Sequence, residues 1–126
     1  MLAIGQTATV STTVTDKNTA KAAGSGSLDV FATPMMVALM EKAACECLAH
    51  NLETTQASVG TQINVAHTAA SPLGAIIKAT ATIAAVDGRK ISFTVTACDE
   101  LNEIGNGTHE RFIVDSDRFM KKLEQR

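Results

Sequence analysis

The stretch Val30-Phe31-Ala32-Thr33-Pro34-Met35-Met36-Val37-Ala38-Leu39-Met40-Glu41-Lys42-Ala43-Ala44-Cys45-Glu46-Cys47-Leu48-Ala49-His50-Asn51-Leu52 decides the fold. Proline suits the first position of a helix, where its missing N–H costs nothing, and a threonine just before it can accept a hydrogen bond from a free N–H of the first turn. Ala, Leu and Met then supply high helix propensity for about four turns. Thr33-Pro34 therefore reads as a helix start, with Thr33 as its cap.

At about 100° per residue, Lys42, Glu46, His50 and Glu53 fall in one narrow sector, the expected wet face. Glu41 lies outside it, among Pro34, Val37, Ala38, Cys45, Leu48 and Leu52. A helix apolar around most of its circumference is buried, and a carboxylate on its apolar side is costly unless something pairs with it or uses it. Thr33 sits two turns earlier on nearly the same side. Two readings stand together here: a capping threonine with a glutamate that finds a neutral partner or the protein edge, and a pair of groups put to chemical use.

The 126 residues make one domain's worth of chain, expected to form a single domain over 1–126 and to bury roughly two-thirds of its unfolded surface without staples. A net charge of −2, no Trp or Tyr and only four Phe leave neither a basic footprint nor stacking platforms, so nucleic acid is excluded as the expected partner. The start Met1-Leu2-Ala3-Ile4-Gly5-Gln6 lacks the basic and long apolar segments of a secretory signal, and no run reaches the length of a membrane span; the expected location is the cytoplasm. Cys45, Cys47 and Cys98 form no CxxC pair and are odd in number, which argues against a disulfide framework or a zinc site and for buried free thiols. Positions 45 and 47 of a helix point about 200° apart and would not share a metal.

Before the helix, residues 5–14 are rich in Thr and Val and read as a strand, and residues 16–27 read as a flexible loop lying over whatever Thr33 and Glu41 face. After it, Val59, Thr61, Ile63, Val65 and His67 share one face of a strand at period two, with Gln62 and Asn64 on the other. His67 thus ends an inward row; taken alone it is a satisfied core histidine, and beside a buried Glu41 it becomes a candidate partner. Two further apolar runs, 73–86 and 89–98, are joined by Asp87-Gly88, a strong hairpin signal. A last strand follows from Ile104 to Val114. Its Gly105-x-Gly107 pair is no phosphate loop, because no helix follows, and marks a bulge or a close backbone approach. His109, Glu110 and Arg111 alternate faces there and cannot all converge on one point, so they read as surface strand charges, with Arg111, Arg89 and the terminal lysines within reach of a phosphate. Asp117 is the expected cap of a short terminal helix. One greasy helix between strands and a long antiparallel sheet give an α+β fold with the sheet wrapped around the helix, and its edge strands favour a homodimer.

These residues resemble a known group. Val30-Phe31-Ala32-Thr33-Pro34-x-Met36-Val37-x-Leu39-Met40-Glu41, Gly60-Thr61-x-Ile63-x-Val65-x-His67-Thr68-Ala69, Val86-x-Gly88-Arg89 and Glu103-Ile104-Gly105-x-Gly107-Thr108-x-Glu110-Arg111 are similar to the hotdog-fold thioesterases related to fluoroacetyl-CoA thioesterase. The resemblance implies a hotdog fold, a homodimer with active sites near the subunit interface, and hydrolysis of a small acyl-CoA thioester. It implies Thr33, Glu41 and His67 as catalytic residues, the backbone at Gly60 as a contact to the acyl group or its carbonyl, and neither metal nor cofactor; Arg111 is added as a substrate-binding candidate for its reach to the phosphates of coenzyme A. Where the fluoroacetyl enzyme carries an aromatic lid, this chain has Lys21-Ala22-Ala23-Gly24-Ser25-Gly26-Ser27, with Ser27 at the place of a gating phenylalanine, so the resemblance carries the hydrolysis and not the selectivity for fluorine. The alternative is a hotdog module that binds acyl-CoA or another small ligand without hydrolysing it. A hydratase on the same fold ranks low, since its Asp-x-Asn-x-x-His pattern is missing.

Overall fold

The computed structural model describes residues 1–126. In chain order they form strand β1 (Thr7–Thr13), short helix α1 (Ala20–Ala23), long helix α2 (Thr33–Ala49), strands β2 (Gln56–His67), β3 (Ile76–Asp87), β4 (Lys90–Cys98) and β5 (Glu103–Asp115), and terminal helix α3 (Ser116–Glu124). The expected order of elements is present; α1, capped by the Thr19 hydroxyl, is the one piece of regular structure inside the segment read as a loop.

The strands form one antiparallel sheet in the order β1-β3-β4-β5-β2. Alternation along β3 and β4 sends Ile77, Ala79, Ala81 and Ile83, and Ile91, Phe93, Val95 and Ala97, to one buried face. Helix α2 lays Met36, Leu39, Met40, Ala43, Ala44, Cys47 and Leu48 against it, while Lys42, Glu46, His50 and Glu53 face water as expected. The sheet curls around this helix, leaving β1 and β2 as its two edges.

Several local expectations are corrected. Ala32, not Thr33, is the N-cap of α2, with no side-chain bond; Met35 and Met36 donate to its carbonyl, and the Thr33 hydroxyl is engaged elsewhere. Asp115 caps α3 by accepting from the Arg118 N–H at 3.1 Å, because the chain leaves β5 there, and Asp117 stands in the first helical turn. The hairpin corner is Gly88-Arg89, closed by the Asp87–Lys90 pair, with Gly88 at φ 61° supplying the left-handed turn residue. Cys47 is buried, whereas Cys45 is exposed and Cys98 half-buried; all three are free.

The strand β2 contains a bulge between Gly60 and Gln62. Beyond it Ile63, Val65 and His67 pair with His109, Gly107 and Gly105; before it Gly60 pairs with the buried Arg111, and Val59 with the exposed Phe112. The single face drawn from Val59 to His67 is therefore broken at Thr61: the extra residue swaps the faces, so that Gly60 and His67 both look inward. The two glycines of β5 mark close approaches. A Cβ on Gly107 would run into the Asn64 carbonyl and Val65, and one on Gly105 would lie 2.8 Å from Met36 Cε and 2.9 Å from the Ala66 carbonyl.

Candidate active site

Two clusters of polar side chains stand along α2 and the β2 edge. The first is at the helix start. Thr33 Oγ1 and His67 Nδ1 are 2.7 Å apart, and the buried His67 Nε2 has no partner in the chain. Phe31 reaches this point by donating its N–H to the Ser71 carbonyl at 2.9 Å, while Ser71 donates its hydroxyl to Asp99 at 2.8 Å. The N–H groups of Leu101 and Asn102, then the Ser71 hydroxyl, hold the Asp99 carboxyl below its ordinary range. The helix start is thereby stapled to the β4–β5 turn. At the helix start opens a cleft of about 280 Å³, lined by Phe31, Thr33, His67 and Ala69 and roofed by Ala20 and Ser25 of the α1 segment. Burial pushes the His67 imidazole below its ordinary pKa, with a backbone hydrogen bond at Ala69 working the other way. His67 is thus a neutral ring at pH 7, able to take or give a proton. With Met35 and Met36 bonded to Ala32 and Pro34 lacking an N–H, the Thr33 N–H and the positive end of the α2 dipole are what this place offers a developing oxyanion.

The second cluster surrounds Glu41. Arg111, buried to 7% exposure, donates Nη1 to Glu41 Oε2 at 3.2 Å, Nε to Ser58 Oγ at 2.8 Å and Nη2 to the Ser58 carbonyl at 3.1 Å. His109, 2% exposed, meets the same Nη1 through its Nε2 at 3.2 Å and the Gln62 carbonyl through Nδ1 at 2.8 Å. The Glu41 side chain keeps 40% of its surface exposed and borders a cleft of about 260 Å³ with Gly60, Thr61 and Gln62. Gly60 earns its place by proximity: a Cβ there would stand 2.8 Å from Glu41 Oε2 and 3.2 Å from Arg111 Nη1. A carboxylate tied by one oxygen to a buried guanidinium has a fixed plane and a second oxygen, Oε1, left for chemistry.

All five expected site residues lie along this edge, in two groups rather than one. Thr33 meets His67, Glu41 meets Arg111 and Gly60, and no contact joins Glu41 to His67 within the chain. Eight residues of helix separate Thr33 from Glu41, about 12 Å at 1.5 Å per residue. The charged run on β5 is corrected too. His109 and Arg111 are buried, and only Glu110 is a surface strand charge, pairing with Lys90 at 3.4 Å. Residues two apart share a face, and this one continues to the buried Ile113, a period-two signal that treating 109–111 as a block obscures. Bound on three sides, Arg111 is not placed to reach a phosphate; Arg89, Arg118 and Lys122 line an exposed cleft beside Phe119 instead. Ser58 had no signal at all, since its role depends on the bulge. Ser27 does not line the Thr33 cleft, whose roof is Ala20 and Ser25. No group of His, Cys, Asp or Glu has a metal-holding arrangement, and no helix is long and apolar enough to cross a membrane.

An antiparallel sheet curled around one long helix, with Thr, His and Glu along the helix and the neighbouring edge strand, defines a hotdog-fold thioesterase. A family model described as fluoroacetyl-CoA-specific thioesterase, FlK, matches residues 14–117. The chain belongs to that family. It is 45% identical over 98 residues to the fluoroacetyl-CoA thioesterase of Streptantibioticus cattleyicolor, covering 78% of this chain and 70% of that protein. The solved structure of fluoroacetyl-CoA thioesterase FlK matches it with a TM-score of 0.94 at 36% identity, over 100% of this chain and 98% of that one. A hot-dog-like protein from Thermanaerovibrio acidaminovorans matches at 25% identity with a TM-score of 0.88, over 97% and 90% of the two chains. The protein is an acyl-CoA thioesterase.

Proposed function

We propose that this single hotdog domain hydrolyses a short acyl-CoA to the free acid and coenzyme A at a site shared by two copies of the chain: Thr33 and His67 from one, and Glu41, Gly60 and Arg111 from its partner. One observation carries this reading: the catalytic groups form two pairs about 12 Å apart along α2, although each pair borders the free edge strand β2. An antiparallel two-fold pairing of β2 with its copy about an axis near Ile63 and Asn64, midway between Gly60 and His67, would lay each pair against the other's complement. The same pairing would satisfy the backbone groups of the β2 edge.

In this arrangement the thioester carbonyl lies at the N-terminus of α2, polarised by the Thr33 N–H and the positive end of the helix dipole. Glu41, oriented by Arg111, either attacks the carbonyl carbon to expel the thiolate and form an anhydride, which water then cleaves to release the acid and regenerate the carboxylate, or takes a proton from the attacking water. His67, neutral at rest and hydrogen-bonded to Thr33, takes up a proton released by the attacking water and passes it to the leaving thiolate. A 280 Å³ cleft roofed by Ala20 and Ser25 suits a small acyl group and has no lid aromatic to single out fluorine. The three free thiols, Cys45 exposed among them, agree with a reducing cytoplasm.

Active-site complementation tests the shared site. Glu41→Gln and His67→Ala each abolish thiol release. When they are mixed and allowed to exchange subunits, half the dimers are mixed and each holds one intact site, returning about a quarter of wild-type activity. No recovery despite demonstrated exchange would place all the groups in one protomer. Label from H2-18O appearing in Glu41 after a single turnover identifies direct attack followed by hydrolysis at the Glu41 carbonyl; label only in the released acid excludes that route and leaves water attack at the acyl carbon.

A further inference from the structure

His109 is a buried titratable side chain with no assigned part in the reaction. Its ring stacks on Phe93 of β4, centroids 6.0 Å apart and planes 27° from parallel. Its two nitrogens have partners of opposite kind. The Gln62 carbonyl, 2.8 Å from Nδ1, can only accept, so Nδ1 carries a proton; Nη1 of Arg111, 3.2 Å from Nε2, can only donate, so Nε2 offers a lone pair. Both contacts demand one neutral tautomer. His67 differs in this respect: its Nε2 has no partner, so its ring is not fixed by an acceptor on one nitrogen and a donor on the other. A histidine that exchanges protons and a histidine that is held in one state stand on the two strands of one pair, facing the same inward side.

The Nη1 that meets His109 is also the Nη1 that meets Glu41, at 3.2 Å in each case. We infer that His109 is a positioning residue for Glu41: as the neutral Nδ1–H tautomer it holds the Arg111 guanidinium in the pose that orients the Glu41 carboxylate. This rests on the role proposed for Glu41. The groups around the ring are consistent with it. The charges bearing on His109 are Arg111 on its own strand, Glu41 from α2 and Glu110 on the opposite face of β5; Phe93 of β4 and Gln62 and Ser58 of β2 contribute none. Burial pushes the imidazole down from its ordinary pKa, and the Arg111 charge adds to this against the Gln62 carbonyl. A proton on Nε2 would set an N–H against the guanidinium N–H and release Arg111 from that side.

The test compares His109→Leu, which keeps apolar volume but removes the acceptor, with His109→Gln, whose amide oxygen can take the place of Nε2. With folding verified by thermal melting, the leucine variant is expected to lose about 10-fold to 100-fold in kcat with KM changed by less than about twofold, and glutamine to recover most of it. Nitrogen NMR on the wild type should show His109 as the Nδ1–H tautomer at pH 7, in the Glu41→Gln variant as well. A folded leucine variant with wild-type kcat overturns the inference, as does an imidazolium or Nε2–H form at pH 7, which decides the matter even if the leucine variant fails to fold. Undiminished turnover by Glu41→Gln would instead remove the role proposed for Glu41, leaving the tautomer as a separate measurement of the His109–Arg111 contact.

Discussion

Replacing Gly60 by alanine separates catalysis from stability in a way the structure makes quantitative. The added Cβ would lie 2.8 Å from Glu41 Oε2, 3.2 Å from Arg111 Nη1 and 3.4 Å from His109 Cε1. An ordinary carbon–oxygen contact is about 3.5 Å, so something must yield by about 0.7 Å. Arg111 and His109 are held by Ser58, Gln62 and the packed ring of Phe93 and have little room. Glu41, tied by one oxygen and 40% exposed, is the side chain that gives way. Its displacement into solvent costs little folding energy, and Gly60 has no positive φ that would strain an alanine. A carboxylate moved by most of an ångström from its attacking position nevertheless loses about 10-fold to 100-fold in rate. Thiol release from acetyl-CoA should therefore fall by that factor in kcat while the melting temperature moves by no more than about 3 °C. A well-folded Gly60→Ala enzyme with wild-type kcat would refute the requirement for a closely held Glu41, and a collapse of folding would show that Arg111, not Glu41, absorbs the clash.

Other outcomes follow from the same geometry. Thr33→Ala should lower kcat by about 10-fold or more, because the hydroxyl 2.7 Å from His67 is lost, while Thr33→Ser retains most of the rate in the same thiol-release assay. The acid limb of kcat/KM should lie below 6.5, since burial lowers the His67 pKa from that value and the neutral ring is the working form. Both His67 and His109 have lowered pKa values when folded, so they bind fewer protons than in the unfolded chain; the stability this confers is complete above 6.5 and is lost as pH falls through the folded-state values, which melting curves at graded pH would follow. Gly107→Ala should destabilise the fold by about 3 kcal/mol or more in urea denaturation, because its Cβ meets backbone of β2 that has no space to retreat. The ratio of kcat/KM for fluoroacetyl-CoA to that for acetyl-CoA should stay below about tenfold, the discrimination that a small apolar pocket without further contacts can supply.

What the residues disclosed in advance, and what they withheld, divides along a physical line. The helix from Thr33, the inward rows of β3 and β4 and the hairpin at Gly88 depend on periodicity and turn chemistry within a few residues of chain, and each formed close to where the pattern placed it. The likeness of the Thr33-to-Glu41 and Gly60-to-His67 segments to hotdog thioesterases pointed to the groups proposed to react for the same reason: their spacing is set inside one helix and one strand. Failures came where a residue's surroundings are non-local. Thr33 has the sequence of a cap, but a histidine 34 positions away holds its hydroxyl. The single extra residue at Thr61 turns β2 over, and on that reversal depend the inward Gly60 and the bond from Arg111 to Ser58. Without the bulge, Gly60 and His67 would lie on opposite faces, since seven positions separate them and faces alternate by one. The bulge is therefore the feature that lets one edge strand present both halves of a hydrolytic site to the same side. Inserting one residue between Glu110 and Arg111, which gives Thr61 a partner and removes the bulge, should turn Gly60 and Arg111 outward, free Glu41 from both and abolish turnover even where the sheet still forms, and an insertion variant that folds and keeps its activity would break the connection between bulge and site.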